Sequence, residues 1–227
     1  MTHYLQIDEA RLRDDPLILF VPGSEKSDLQ VELLRETAPY DWHCVDLGMW
    51  DNPHRNTWVN KLNLAIHQAE RPVILVAQGF GCLVAAWWAE FEQPRFGNPV
   101  IGALLLAPPD VERPGTDDRL AKFGACPKSP LPCPSFLVAH HRDANGYLRS
   151  ARTLARRWDC RFILADDPGG AGRSGAEFAR RLLDQLVREH RIGIRAERPV
   201  VVYPPRPSLP EASYAQALLT ARFGQQA

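Results

Sequence analysis

The residues of this chain whose types and spacing bear on chemistry centre on Ala77-Gln78-Gly79-Phe80-Gly81. The pentapeptide follows the β-favouring apolar run Val73 to Val76. It opens a helical stretch carrying Cys82, Leu83, Ala85, Ala86, Trp87 and Ala89. A buried strand, a very tight turn and a returning helix is the local shape of the G-x-S-x-G elbow, which presents a serine hydroxyl for covalent attack on a carbonyl. Here the nucleophile position holds Gly79, which has no side chain to attack with. An elbow nucleophile sits in a strained backbone conformation, commonly with positive φ, that costs a non-glycine residue on the order of 1–3 kcal/mol. Glycine removes that cost. Gly79 is therefore the residue expected where the turn is kept and the reaction dropped. Taken alone, the five residues also read as an ordinary buried strand–helix junction.

Other groups with chemical potential are scattered. Ser24 follows Gly23 in a turn after an apolar run, and His140, His141 and Asp143 follow another. Cys82 lies one turn into the helix, with its thiol expected to point away from the turn. Cys126 and Cys133 with His140 and His141 can be drawn as a zinc site, but their spacing matches no common zinc module. Gly170-Ala171-Gly172-Arg173-Ser174-Gly175 spells G-x-G-x-x-G. It follows the last strand instead of the first and lacks an acidic residue at the right distance downstream, so dinucleotide binding is not expected. Neither a metal nor a cofactor is expected.

The elements that must position these groups alternate along the chain. Leu17–Val21 reads as a short buried strand stopped by Pro22-Gly23-Ser24, and Ser27 or Asp28 as the cap of a helix bearing Leu29, Leu33 and Leu34. Trp42 to Leu47 reads as a second strand. A helix with Trp58, Leu62, Ala65 and Ile66 on one face precedes the elbow strand. Val100–Leu106, Phe136–Ala139 and Arg161–Ala165 are further strands. Helices are expected over Tyr147–Trp158 and over a segment carrying Phe178, Leu182, Leu186 and Val187, closing around His190. Val111 to Pro134, rich in proline, glycine and charge, reads as a long loop or lid with at most one short helix. This alternation predicts a three-layer α/β/α fold with a six-stranded, mainly parallel sheet. Ligands of such sheets gather at the carboxyl ends of the strands. There the pattern places Pro22–Ser24, Gln78–Phe80, His140–Asp143 and Pro168–Arg173.

The 227 residues carry a net charge of zero. Neither nucleic acid nor an anionic membrane is an expected partner. Five cysteines without regular spacing suit a reducing compartment better than a disulfide framework. The polar start, Met1 to Asp15, reads as neither signal peptide nor anchor, and a cytoplasmic protein is expected.

Residues from about 17 to 188 resemble the small serine hydrolases that include the YdeN-like bacterial proteins and the retinoblastoma-binding serine hydrolase of animals. The resemblance is carried by Phe20-Val21-Pro22-Gly23-Ser24, Trp50-Asp51-Asn52-Pro53, Val76 to Leu83, Gly102 to Val111 and Ser174-Gly175, in the family's order and spacing. It implies an α/β-hydrolase domain with a Ser–His–Asp triad acting on small esters or amides. Carried over by position, the family's serine falls on Gly79 and its histidine, counted back from Ser174-Gly175, on Gly169. Asp143 alone retains the triad acid. Gln78 stands where the family usually has histidine, and the His-Trp pair that often opens the first helix is absent at Ser27-Asp28. The resemblance thus implies a hydrolase fold without its catalytic serine and histidine; an active hydrolase with a rearranged site is the alternative.

Backbone N–H groups of Phe80 and of the residue after Gly23 are expected to converge near a helix start, where negative charge is favoured. A small carboxylate-, phosphate- or ester-like ligand is the corresponding expectation, bound around Gly23, Ser24, Gln78, Gly79, Phe80, His141 and Gly169. Residues 1–190 form the expected hydrolase domain. Residues 191–227 form an extension with a proline-bounded run at Val200–Tyr203 and an apolar stripe at Ala215, Leu218, Leu219 and Phe223. That extension is expected either to pack on its own domain or to dock on a protein partner or a second copy.

Overall fold

The computed structural model describes residues 15–25, 40–111, 117–140, 145–165 and 175–197. Contacts divide the chain into two units, Met1–Ile192 and Gly193–Ala227. The first holds the sheet. The run at Val200–Tyr203, the stripe at Ala215–Phe223 and the helix expected after Ser27 lie outside the described residues.

The elements are β1 (Leu17–Val21), β2 (Trp42–Cys44), α1 (Arg55–Gln68), β3 (Val73–Gln78), α2 (Phe80–Glu92), β4 (Val100–Leu106), α3 (Arg119–Phe123), β5 (Ser135–His140), α4 (Asn145–Arg157), β6 (Arg161–Ala165) and α5 (Gly175–Glu197). The six strands form one sheet in the order β2-β1-β3-β4-β5-β6. Every pairing is parallel. β1, β3 and β4 are continuous apolar runs because both of their faces are covered. Leu19, Val21, Leu75, Ala77 and Leu105 pack with residues of α1, α2 and α4. Ile18, Phe20, Ile74, Val76 and Leu104 pack with Ala179, Leu183 and Leu186 of α5. The indoles of Trp58, Trp88 and Trp158 are fully buried. Their N–H groups donate to the Gly48 carbonyl, Asn63 Oδ1 and the Pro127 carbonyl, so burial leaves none of the three unsatisfied.

Two expected boundaries move by three residues or more. The second strand stops at Cys44 instead of Leu47. Val45 still donates to the Phe20 carbonyl at 2.9 Å. β1, however, ends at Val21, and Pro22 has no N–H to offer. The last helix runs seven residues past His190, to Glu197. No proline interrupts it before Pro199, and the residue ahead of a proline disfavours helix. Between Val111 and Pro134 the one helix among the described residues is α3. No helix among the described residues is long and apolar enough to cross a membrane.

Candidate functional site

β3 and α2 meet at Gly79, which adopts φ 53 and ψ −122. This is a conformation that side-chain-bearing residues rarely adopt. The turn is tied on both sides: the Gly79 N–H donates to the Leu106 carbonyl at the end of β4, and the Cys82 N–H donates to the Gly79 carbonyl, each at 3.0 Å. Two further glycines let other backbone approach the turn. A Cβ at Gly81 would lie 2.0 Å from the Val21 carbonyl oxygen, and one at Gly23 would lie 2.4 Å from the Gln78 carbonyl oxygen. No side chain fits at either place. At Gly79 the situation differs: a Cβ there would meet only the Gly23 Cα, at 3.5 Å, an ordinary contact. The turn at Gly79 is strained for any residue with a side chain, but the space in front of it would admit one.

A roof of aromatic and charged groups stands beside the turn. The Phe80 ring is buried and lies 5.4 Å from Phe123 of α3, which in turn lies 5.7 Å from Trp58. Trp50 meets Trp58 edge-on at 5.1 Å. The Arg119 guanidinium sits 4.6 Å over the Phe80 ring and pairs with Asp117 at 2.7 Å. Hydrogen bonds from that guanidinium hold the Asp117 carboxyl below its ordinary range. Arg55 donates to the Phe123 carbonyl, and Lys122 donates to Asn52, closing α3 onto the Trp50–Asn52 turn. Sequence reading passed over Asp117 and Arg119. The pair is visible locally as D-x-R, but stacking on a ring 39 positions earlier in the chain is decided by the fold.

Of the expected site residues, the structure brings Gly23, Gln78, Gly79 and Phe80 together, with Ser24 exposed next to Gly23. His140 closes β5, two strands from β3. His141, Asp143 and Gly169 lie outside the described residues.

Cys82 is fully buried and donates to the Ala77 and Leu106 carbonyls at 3.3 and 3.5 Å. Burial pushes its thiol far above the ordinary range, so it holds the strand–helix junction as a neutral donor. Cys133 is buried and likewise pushed up to about 12 by desolvation. None of the five cysteines forms a disulfide. Among the described residues no group of three or more His, Cys, Asp or Glu side chains gathers as a metal site.

Solved structures share this architecture. A protein described as a YdeN-like hydrolase from Pectobacterium atrosepticum superposes with a TM-score of 0.59 at 23% identity, covering 82% of this chain and 97% of that one. The ydeN gene product of B. subtilis gives 0.57 at 15% identity, covering 75% and 98%. An α/β hydrolase from Sphaerobacter thermophilus gives 0.58 at 11%, covering 76% and 93%. At these identities the likeness establishes the fold, which is that of the α/β-hydrolases. No curated protein matches the sequence. The profile of the family described as serine hydrolase matches residues 18–173, from β1 through the elbow and past β6. With most of its length covered by that match, the chain belongs to the serine hydrolase family.

Proposed function

We propose that this member of the family is catalytically silent and acts by binding. The observation that carries the reading is Gly79: the nucleophile position has elbow geometry and room for a side chain, yet holds none. In a Ser–His–Asp site the serine makes the covalent bond and the histidine moves its proton. The resemblance puts glycine at both positions, 79 and 169, and an aspartate such as Asp143 performs neither task. An oxyanion hole and binding alone leave an acceleration of roughly 10³–10⁴ over water. Enzymes typically reach about 10⁶ or more. Cys82 is no substitute, being buried, protonated and hydrogen-bonded to backbone.

The ligand class that suits the remaining site is a small carboxylate, phosphate or ester, held by the backbone N–H groups of Phe80 and Ser24 beside Gly23, Gln78 and Gly79; His141 and Gly169, outside the described residues, complete the expected set. Residues 191–227 offer a second route to function, by docking on a protein partner or another copy of the chain. Light scattering and pull-down on full-length and truncated protein test that route. A truncated chain that unfolds, with a full-length monomer that captures nothing, defeats it.

A fluorophosphonate probe is expected to leave the purified protein unlabelled, and p-nitrophenyl esters to turn over at background rates. Robust turnover abolished by substitution of Ser24 or His141 would overturn the proposal and support a rearranged hydrolase. Turnover restored by the double change Gly79→Ser with Gly169→His would confirm the positional correspondence on which it rests.

A further inference from the structure

Helix α4 carries Arg149, Arg152, Arg156 and Arg157 and no acidic residue. At 3.6 residues per turn, Arg149, Arg152 and Arg156 fall in one narrow sector and form a stripe about 10 Å long. All three are exposed. None of the ion pairs among the described residues involves them. α5 contrasts with this, its Arg180 and Arg181 pairing with Asp184 and Glu177. The chain as a whole is neutral, so the stripe is a local excess of charge rather than a reflection of composition.

The stripe borders a sheet edge. The Arg152 guanidinium stands 5.4 Å from the Phe162 ring of β6. β6 is the last strand on its side of the described sheet, paired to β5 along one edge. Phe162, Ile163 and Leu164 are half-buried. The outer row of backbone N–H and C=O groups on such a strand is a template for another strand.

We propose that this edge docks an acidic, extended segment of a partner protein, paired along β6, with its carboxylates on the arginine stripe. Main-chain hydrogen bonds to the edge supply affinity, and alternate side chains supply specificity. Side chains on one face of a strand recur about every 6.7 Å, so two carboxylates fit within the stripe. Arginine forks bind carboxylates bidentately. A second copy of the chain is the wrong occupant. Antiparallel pairing of β6 with itself, about a two-fold axis normal to the sheet, sets both α4 helices on one face with their arginines opposed.

Fluorescence anisotropy on the full-length protein tests this with a labelled peptide of alternating glutamate and valine at low salt. Saturable binding is expected, weakened about tenfold by Arg149→Gln/Arg152→Gln/Arg156→Gln together. The same loss is expected when glutamine replaces glutamate in the peptide, a control that leaves the protein untouched. N-methylation of alternate peptide amides is expected to abolish binding. The proposal is overturned if no peptide binds, or if the triple variant and the glutamine peptide bind unchanged. It is also overturned if the N-methylated peptide binds as well as the parent. Tighter binding of duplex DNA or of phosphatidylserine vesicles than of the peptide would overturn it too, as would a dimer in light scattering that forms through β6.

Discussion

Replacing Gly79 with serine adds a side chain at the strand–helix turn, and its energetic consequence follows from the geometry. The added Cβ meets only the Gly23 Cα at 3.5 Å, so steric overlap contributes little. The backbone stays at φ 53 and ψ −122, where a non-glycine residue carries strain on the order of 1–3 kcal/mol. Against this, removing a glycine lowers the entropy of the unfolded chain and returns about 0.4–1 kcal/mol. The net expectation is a loss of about 1 kcal/mol, or a fall in Tm of about 2–4 °C for a chain of this size. Gly81→Ala is the contrasting perturbation. Its Cβ would sit 2.0 Å from the Val21 carbonyl oxygen and 2.8 Å from the carbonyl carbon. Both atoms belong to a strand locked in the ladder to β3, so the backbone itself must shift, at an expected loss of roughly 3 kcal/mol or more. Urea and thermal unfolding followed by circular dichroism measure both. A Gly79→Ser protein more stable than the parent, or one as damaged as Gly81→Ala, would refute the reasoning.

Phe123→Ala is expected to remove about 3 kcal/mol, because the ring is buried between Phe80 and Trp58 and its loss leaves a cavity under α3; urea unfolding and the near-ultraviolet dichroism of the tryptophans report it, and a change below about 0.5 kcal/mol would show the roof to be loosely attached. Tyr40 donates to Asp184 Oδ1 at 2.6 Å, and burial, then that hydrogen bond, pushes its phenol from 10.0 to about 12. Because the folded value is raised, the stabilisation is complete below the unfolded value and lost as pH climbs from about 10 to about 12. Tyr40→Phe is therefore expected to cost about 1 kcal/mol at neutral pH and to show a shallower loss of stability over that alkaline range in urea titrations. Thiol titration with a disulfide reagent is expected to modify exposed Cys44 quickly and Cys82 only on unfolding, and prompt native-state reaction at Cys82 would contradict its place in the junction.

Much of the fold was legible without coordinates. The apolar runs of β1, β3 and β4 announce strands covered on both faces, and alternation with helical stretches leaves a parallel sheet as the arrangement that buries them all. The strand–turn–helix at β3 and α2 was legible too, because Gly79 and Gly81 are both local turn signals. Less visible were the ends of elements. β2 stops at Cys44 because its neighbour runs out of backbone donors at Pro22, a fact of pairing and not of the β2 sequence. The site divides the same way. Residue identity alone says that Gly79 cannot attack a carbonyl. That its φ is 53, that a side chain would nevertheless fit there, and that Gly81 and Gly23 have no such room depend on how the turn after β1 passes the end of β3. The Phe80–Phe123–Trp58 stack and the Arg119–Asp117 pair above it join segments far apart in the chain. Composition and periodicity specify which faces are buried. Only tertiary packing decides which distant side chains share the space at the end of a strand, because that depends on the register and twist of the whole sheet.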